Sequence, residues 1–226
     1  CKDPFSIIVN AGIKPEVITM PNMAVSFSAK EEAVIQAVNI RVEDGEFTFD
    51  VLKAGSRFIE KAEMPLPGRH NVENALAAIA VADKLGIEAD MISTALADFK
   101  GVKRRLEKIY DFNGKVLYDD YAHHPEEIKV LIEAIKELHP EKSICGIFQP
   151  HLFTRTRDFA DGFAASLSML DYAIVTDIYP AREKPIEGID ARFLINKMPD
   201  CKKKYIPYSE IVNSVCKLDE DIILTI

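Results

Sequence analysis

The run KVLYDDYAHHPEEIKVLIEAIKELHPEKSICGIF, Lys115 to Phe148, carries one complete strand–helix–strand unit in its pattern. It begins as a short apolar strand, residues 115–120. A polar loop follows, and then apolar residues at helical spacing over residues 126–139. A second apolar strand, residues 143–148, closes the unit. The same rhythm continues downstream: helix 156–169, strand 172–178, helix 190–197, strand 203–207, helix 209–217, strand 221–226. Such alternation predicts an α/β fold, a mostly parallel sheet with helices on both faces. KVLYDD, SICGIF, YAIVTDI and DIILTI are short apolar runs, as strands covered on both faces should be.

Upstream the pattern differs. Residues 1–67 read as mixed, strand-rich sequence, although residues 1–24 leave their topology open. EFTFDVL, Glu46 to Leu52, alternates as a half-buried strand after a turn at Glu43-Asp44-Gly45. Pro65-Leu66-Pro67-Gly68 interrupts regular structure. Residues 71–85 then predict a helix with Gly86 as its stop, and a shorter helix spans 90–98. The basic, glycine-containing stretch FKGVKRRLE, Phe99 to Glu107, marks a domain boundary, giving units 1–99 and 100–226.

The 226 residues are 48% hydrophobic and 28% charged, enough to build a buried core. A net charge of -8 and a pI near 5.2 argue against nucleic acid as the partner. No apolar run approaches the ~20 residues that span a bilayer, and no signal peptide is visible. Cys1, Cys145, Cys201 and Cys216 show no C-x-x-C spacing, which points to a reducing cytosol. The chain starts at Cys1 rather than Met and ends on the apolar run Ile222 to Ile226, so a piece of a longer protein is expected.

Ligands of open parallel sheets bind at the carboxyl ends of the strands. Three unusual stretches fall there: DDYAHHPEE (119–127), QPHLFTRTRD (149–158) and DIYPAREKP (177–185). Each has a plain structural reading beside a functional one. Asp120 either caps the helix that starts near Pro125 or serves a ligand. Arg155 and Arg157 beside a helix start favour an anion, or form a solvated basic face. Asn71 and Asn74, three apart at a helix start, suit an adenine edge, unless His70 or Asn71 is the cap. Lys103, Arg104 and Arg105 at a junction suit phosphates, or are linker surface. No histidine has an H-x-x-x-H partner, so no metal site is expected.

GRHNVENALAAIAVA, GVKRRLE, DDYAHHPEE, FQPHLFTRTRD and YPAREKPI, in this order and spacing, resemble the Mur ligase family of ATP-dependent amino-acid ligases. The resemblance runs from about Val25 to the end. It implies that residues 1–99 are the tail of the central, ATP-binding domain and that residues 100–226 are the Rossmann-like C-terminal domain. Within the family, the motifs imply ligation of L-alanine to UDP-N-acetylmuramate through an acyl phosphate, in cytoplasmic peptidoglycan precursor synthesis. A ligase that attaches a recycled tripeptide, or a non-catalytic nucleotide-binding module, is the alternative. A dinucleotide oxidoreductase would require a G-x-G-x-x-G after a strand, and the chain has none. ATP and Mg2+ are the implied cofactors. No G-x-x-G-K-T/S loop occurs in the chain, and the magnesium ligands are expected outside it, so the chain alone should be inactive.

The resemblance also implies roles for residues. Asn71 and Asn74 would meet adenine, with His70 beside them. Arg105, with Arg104 as second choice, would reach the phosphates. Asp120 would hold the ribose, and His123 would sit near the phosphates. Tyr121, His124, His151 and Arg155 would shape the pocket for alanine and the activated muramate. Many relatives carry Arg directly after QPH; here Leu152 stands there, which puts more of the carboxylate load on Arg155.

Overall fold

The computed structural model describes residues 7–13, 24–43 and 45–226. The turn expected at Glu43-Asp44-Gly45 includes residue 44, which lies outside the described residues. The chain divides into two compact units, residues 1–101 and 102–226.

The first unit holds a five-stranded sheet in the order β1 (Ile7–Asn10), β2 (Ala24–Ser28), β3 (Ile35–Glu43), β4 (Glu46–Lys53) and β5 (Ser56–Met64). β1, β2 and β3 run parallel; β3, β4 and β5 form an antiparallel meander. Only β4 is legible from alternation. In β3 and β5 the register shifts, and Asn39 and Lys61 adopt positive φ, so the period of two breaks. Asp50 secures both irregularities: it accepts from Asn39 Nδ2 at 2.8 Å and from the Lys61 N–H at 2.9 Å.

Helix α1 (Arg69–Lys84) packs on β1, β2 and β3 through Val72, Ala75, Leu76, Ile79 and Ala80, the i, i+3, i+4 stripe of an amphipathic helix. It starts two residues earlier than expected. Its N-cap is Gly68, with φ 104°, a backbone state open to glycine, so neither His70 nor Asn71 is the cap. α2 (Ala89–Ala97) follows and packs against β5.

The second unit is a six-stranded sheet, β10-β9-β8-β11-β7-β6. Its elements are β6 (Glu107–Phe112), β7 (Lys115–Asp119), α3 (Pro125–Leu138), β8 (Ile144–Phe148), α4 (Phe153–Asp158), α5 (Ala160–Leu167), β9 (Tyr172–Val175), α6 (Ala191–Lys197), β10 (Lys203–Tyr205), α7 (Ile211–Val215) and β11 (Ile222–Thr225). Five strands are parallel; β6 is antiparallel to β7 at the edge. β6 lies just after the boundary stretch, where the sequence suggests no element, because five of its six residues are exposed and no core-facing stripe results.

Connectivity explains the layering. From β7 through β8 and β9 to β10 the chain steps one way across the sheet. Right-handed crossovers therefore put α3, α5 and α6 on one face. The return from β10 to β11 steps the other way and sends α7 to the opposite face. The main core joins Val116, Tyr118, Ile128, Ile132, Ile135, Phe148, Phe163 and Leu167 on the first face. Cys145, Ile147, Ile174, Ile206 and Ile223 pack on the other, against Ile211 and Val215. Burying each large apolar side chain contributes about 1.5–3 kcal/mol.

Two expected helices are interrupted. Residues 156–169 are α4 and α5, broken at Phe159 with φ -112° and ψ 15°. Residues 209–217 are a 3-10 turn, Tyr208–Glu210, followed by α7.

Candidate functional site

The loop after β7 begins the site. Asp120 is 7% exposed. Its Oδ2 accepts from the Leu106 N–H and its Oδ1 from the Ala122 N–H, both at 2.7 Å. Asp120 is therefore not the cap of α3. His124 is, accepting at Nδ1 from the Glu126 N–H at 3.3 Å, with Pro125 at the first helical position. Glu127 completes the cap, taking the N–H of His123 at 2.9 Å and that of His124 at 3.1 Å. Burial pushes the Glu127 carboxyl up, but those N–H donors and the charges of His123 and Arg105 outweigh it and hold it below the usual range.

Asp120 also anchors the junction segment. Arg104 and Leu106 both have positive φ, 58° and 46°, a conformation that L-residues adopt at a cost. The carboxylate bond to Leu106 holds this bend. The two arginines separate in role. Arg104 Nε lies 3.3 Å from Asp119 Oδ2, and its guanidinium stacks over the Tyr121 ring at 4.7 Å. Asp119 is further held by the Thr225 hydroxyl at 2.6 Å. Arg105 is exposed and senses Glu127 through its charge.

A second loop follows β8. His151 forms a one-residue parallel bridge with Tyr179, and the two rings stack at 5.5 Å. Arg155 Nη1 approaches His151 Nδ1 at 3.5 Å. Burial first, then the charges of Arg155 and His123, push His151 below its ordinary value. His124 meets the Phe159 ring edge-on at 4.9 Å.

The free helix start expected beside Arg155 is already taken. Glu183 reaches it from the loop after β9, accepting the Thr154 N–H at 3.0 Å and the Thr154 hydroxyl at 2.5 Å. The Thr154 hydroxyl is the main reason the Glu183 carboxyl lies below its ordinary range. An incoming carboxylate can meet the Arg155 guanidinium, but the Thr154 N–H at this helix start is committed to Glu183. Arg157 is exposed and pairs with Asp158 at 2.7 Å. Farther along the edge, a cavity of about 260 Å3 lies among Phe153, Asp177, Arg192 and Tyr205. There the Tyr205 hydroxyl donates to Asp177 at 2.5 Å and holds its carboxyl low.

Asn71, Asn74 and His70 lie on the first unit, in the first turns of α1. Asn71 donates to the Pro67 carbonyl at 2.8 Å and accepts from Asn74 Nδ2 at 3.2 Å. Asn74 is exposed. Glu73, between them, takes Asn10 Nδ2 at 2.9 Å and the Ala29 N–H at 3.0 Å, tying α1 to β1 and to the end of β2.

Glu127 and Glu183 are the structural finds. Glu127 had a local signal, since it stands three residues after His124 as a capping box requires. Glu183 had none, because it meets a helix start 29 residues away. Among the described residues, no group of three or more His, Cys, Asp or Glu side chains is placed to hold a metal ion. Likewise, no helix among them is long and apolar enough to cross a membrane.

Imidazoles, guanidiniums and oriented carboxylates gather at the carboxyl edge of the parallel sheet, where open α/β sheets take their ligands, in an α/β domain that a second α/β unit precedes in sequence. Residues 104–224 match the Mur ligase, glutamate ligase domain, and residues 6–82 match the Mur ligase middle domain; the chain belongs to the Mur ligase family. It is 43% identical over 207 residues to the UDP-N-acetylmuramate--L-alanine ligase of Flavobacterium johnsoniae, covering 92% of this chain and 46% of that protein. To the protein of the same name from Caldicellulosiruptor bescii it is 44% identical over 188 residues, covering 83% and 41%. The solved UDP-N-acetylmuramate-alanine ligase MurC from Thermotoga maritima superposes with a TM-score of 0.74 at 27% identity, over 89% of this chain and 43% of that one. The chain thus spans less than half the length of these relatives.

Proposed function

We propose that this chain is part of an ATP-dependent ligase that joins L-alanine to UDP-N-acetylmuramate in the cytoplasm, and that residues 100–226 form its amino-acid-receiving domain. The observation that carries this is the 43% identity, over 92% of the chain, to a protein named for that activity. The site chemistry agrees with it. A carboxylate resists attack by an amine because oxide is a poor leaving group; phosphorylation supplies a better one. Cations must then offset the charge of the moving phosphoryl group. Arg105 is suited to this because it is exposed, whereas Arg104 is held by Asp119 and Tyr121.

Asn71 and Asn74 present amide donors and acceptors for an adenine edge. Asp120, a carboxylate at the carboxyl end of β7 held by two backbone donors, would accept from the ribose hydroxyls. Arg155, beside His151, would meet the alanine carboxylate, with Tyr121 and His124 shaping the pocket. The described residues do not fit a magnesium site.

The test uses an intact enzyme that contains these 226 residues. Phosphate release should require ATP, UDP-N-acetylmuramate and L-alanine together. Release indifferent to L-alanine overturns the substrate assignment. The 226-residue chain alone, lacking the G-x-x-G-K-T/S loop, should show no alanine-dependent release.

A further inference from the structure

The adjacent histidines after β7 hold their protons on opposite nitrogens. His123 Nδ1 lies 3.0 Å from the Tyr121 carbonyl oxygen and 3.4 Å from Glu127 Oε2. Both oxygens can only accept, so Nδ1 carries a proton, and the neutral ring has its lone pair at Nε2. His124 is the reverse. Its Nδ1 accepts from the Glu126 N–H, so its own proton sits on Nε2. One carboxylate organises this arrangement. Glu127 Oε2 takes the backbone N–H of both histidines while facing the His123 ring.

His151, the other imidazole of this edge, does not offer the same nitrogen. Its Nδ1 faces the Arg155 guanidinium, which can only donate. Among the three imidazoles of these loops, His123 is the one whose Nδ1 is held by acceptors and whose Nε2 lone pair is therefore directed away from them.

Resting on the ligase reading above, we propose that His123 is a catalytic base that takes a proton from the ammonium of the incoming amino acid, and that Glu127 is the positioning residue that holds His123 in its Nδ1–H tautomer. An amino acid arrives at neutral pH as an ammonium, which has no lone pair to attack with. One N–H bond breaks and its proton passes to His123 Nε2. The freed pair forms the C–N bond at the acyl phosphate carbonyl. The C–O bond to phosphate breaks, phosphate leaves with that electron pair, and its freed oxygen takes the second proton from the nitrogen, which leaves a neutral amide. His123 is left as an imidazolium, whose Nδ1–H already faces Glu127 and the Tyr121 carbonyl.

Two measurements test this separately. The first is the tautomer, read from imidazole 15N chemical shifts of the labelled 226-residue chain. His123 should show a protonated Nδ1 and a bare Nε2, with His124 reversed; His123 protonated at Nε2 alone overturns the proposal. Glu127→Gln keeps an oxygen for the capping N–H groups but removes the charge, and should shift His123 toward the Nε2–H form. The second measurement uses the intact enzyme with two nucleophiles, L-alanine and hydroxylamine. Hydroxylamine has an unprotonated nitrogen at neutral pH and needs no base. His123→Ala should slow turnover with L-alanine roughly 10²–10⁴-fold, while hydroxamate formation persists. Glu127→Gln should follow the same pattern with a smaller loss. Equal loss with both nucleophiles overturns the proposal. If the unaltered enzyme forms no hydroxamate from hydroxylamine, ATP and UDP-N-acetylmuramate, the ligase reading itself fails instead.

Discussion

Replacing Asp120 with Ala removes a buried carboxylate that accepts two backbone N–H groups at 2.7 Å. Leu106 and Ala122, which own those groups, are 3% and 4% exposed, so water cannot easily take the place of the lost acceptor. A hydrogen bond to a charged acceptor contributes about 1.5–3 kcal/mol, so the pair is worth roughly 3–6 kcal/mol. Whole domains are stable by about 5–15 kcal/mol, which makes this a large fraction. Asp120→Asn keeps one carbonyl oxygen but turns an NH2 group toward the second donor, so it should recover no more than about half of the loss. Urea unfolding at pH 7, followed by circular dichroism, measures both variants. An Asp120→Ala cost below about 1 kcal/mol would refute the reasoning, because a buried, doubly bonded carboxylate cannot be that cheap to remove. Stability alone no longer separates ribose binding from scaffold. The intact enzyme must be assayed well below either variant's unfolding transition, where a raised KM for ATP with a spared KM for alanine marks the ribose contact.

Three further outcomes follow from named contacts. Gly146→Ala in β8 would place its Cβ 2.3 Å from Leu170 Cδ1 and should destabilise by about 1–3 kcal/mol; adding Leu170→Ala should recover part of this, and fully additive costs would count against it. The folded Glu183 carboxyl is depressed, so its stabilising contribution is present above the unfolded value of about 4.3 and is lost as pH falls through the lower folded value; Glu183→Gln should remove that part of the acid-unfolding curve, and an unchanged curve would be contrary. In the intact enzyme, Arg155→Ala should raise the KM for alanine more than Arg155→Lys does, with the KM for ATP unmoved, because a lysine keeps the charge but loses the planar fork. A wild-type alanine KM in Arg155→Ala would reduce it to surface charge, and Leu152→Arg should partly rescue it.

The parallel sheet was legible because its strands are short apolar runs separated by helices, and right-handed crossovers then leave little freedom. β8 shows this most plainly: all five of its residues are buried, and it lies between β9 and β11. β6 was illegible because an edge strand with five exposed residues looks like a linker. β3 and β5 were illegible for another reason. Their bulges shift the pleat, and the residues that stabilise them, Asn39, Asp50 and Lys61, are polar and far apart in sequence.

At the site, sequence showed which residue types gather but not which of them are already occupied. A string such as DDYAHHPEE reads as spare ligands for a substrate. In the fold, Asp119 holds Arg104 and Thr225, Asp120 holds Leu106 and Ala122, His124 caps α3, and Glu127 holds both histidine N–H groups. Much of the motif's polarity is thus used to shape its own loop. The same distinction separates Arg104 from Arg105 and places Glu183 on α4, a pairing between segments 29 residues apart that no local pattern encodes. The chemistry available to a ligand is what these bonds leave over. On this edge, that is the exposed Arg105 guanidinium, the Arg155 guanidinium beside His151, and an imidazole nitrogen of His123 freed because Glu127 and a carbonyl hold the other.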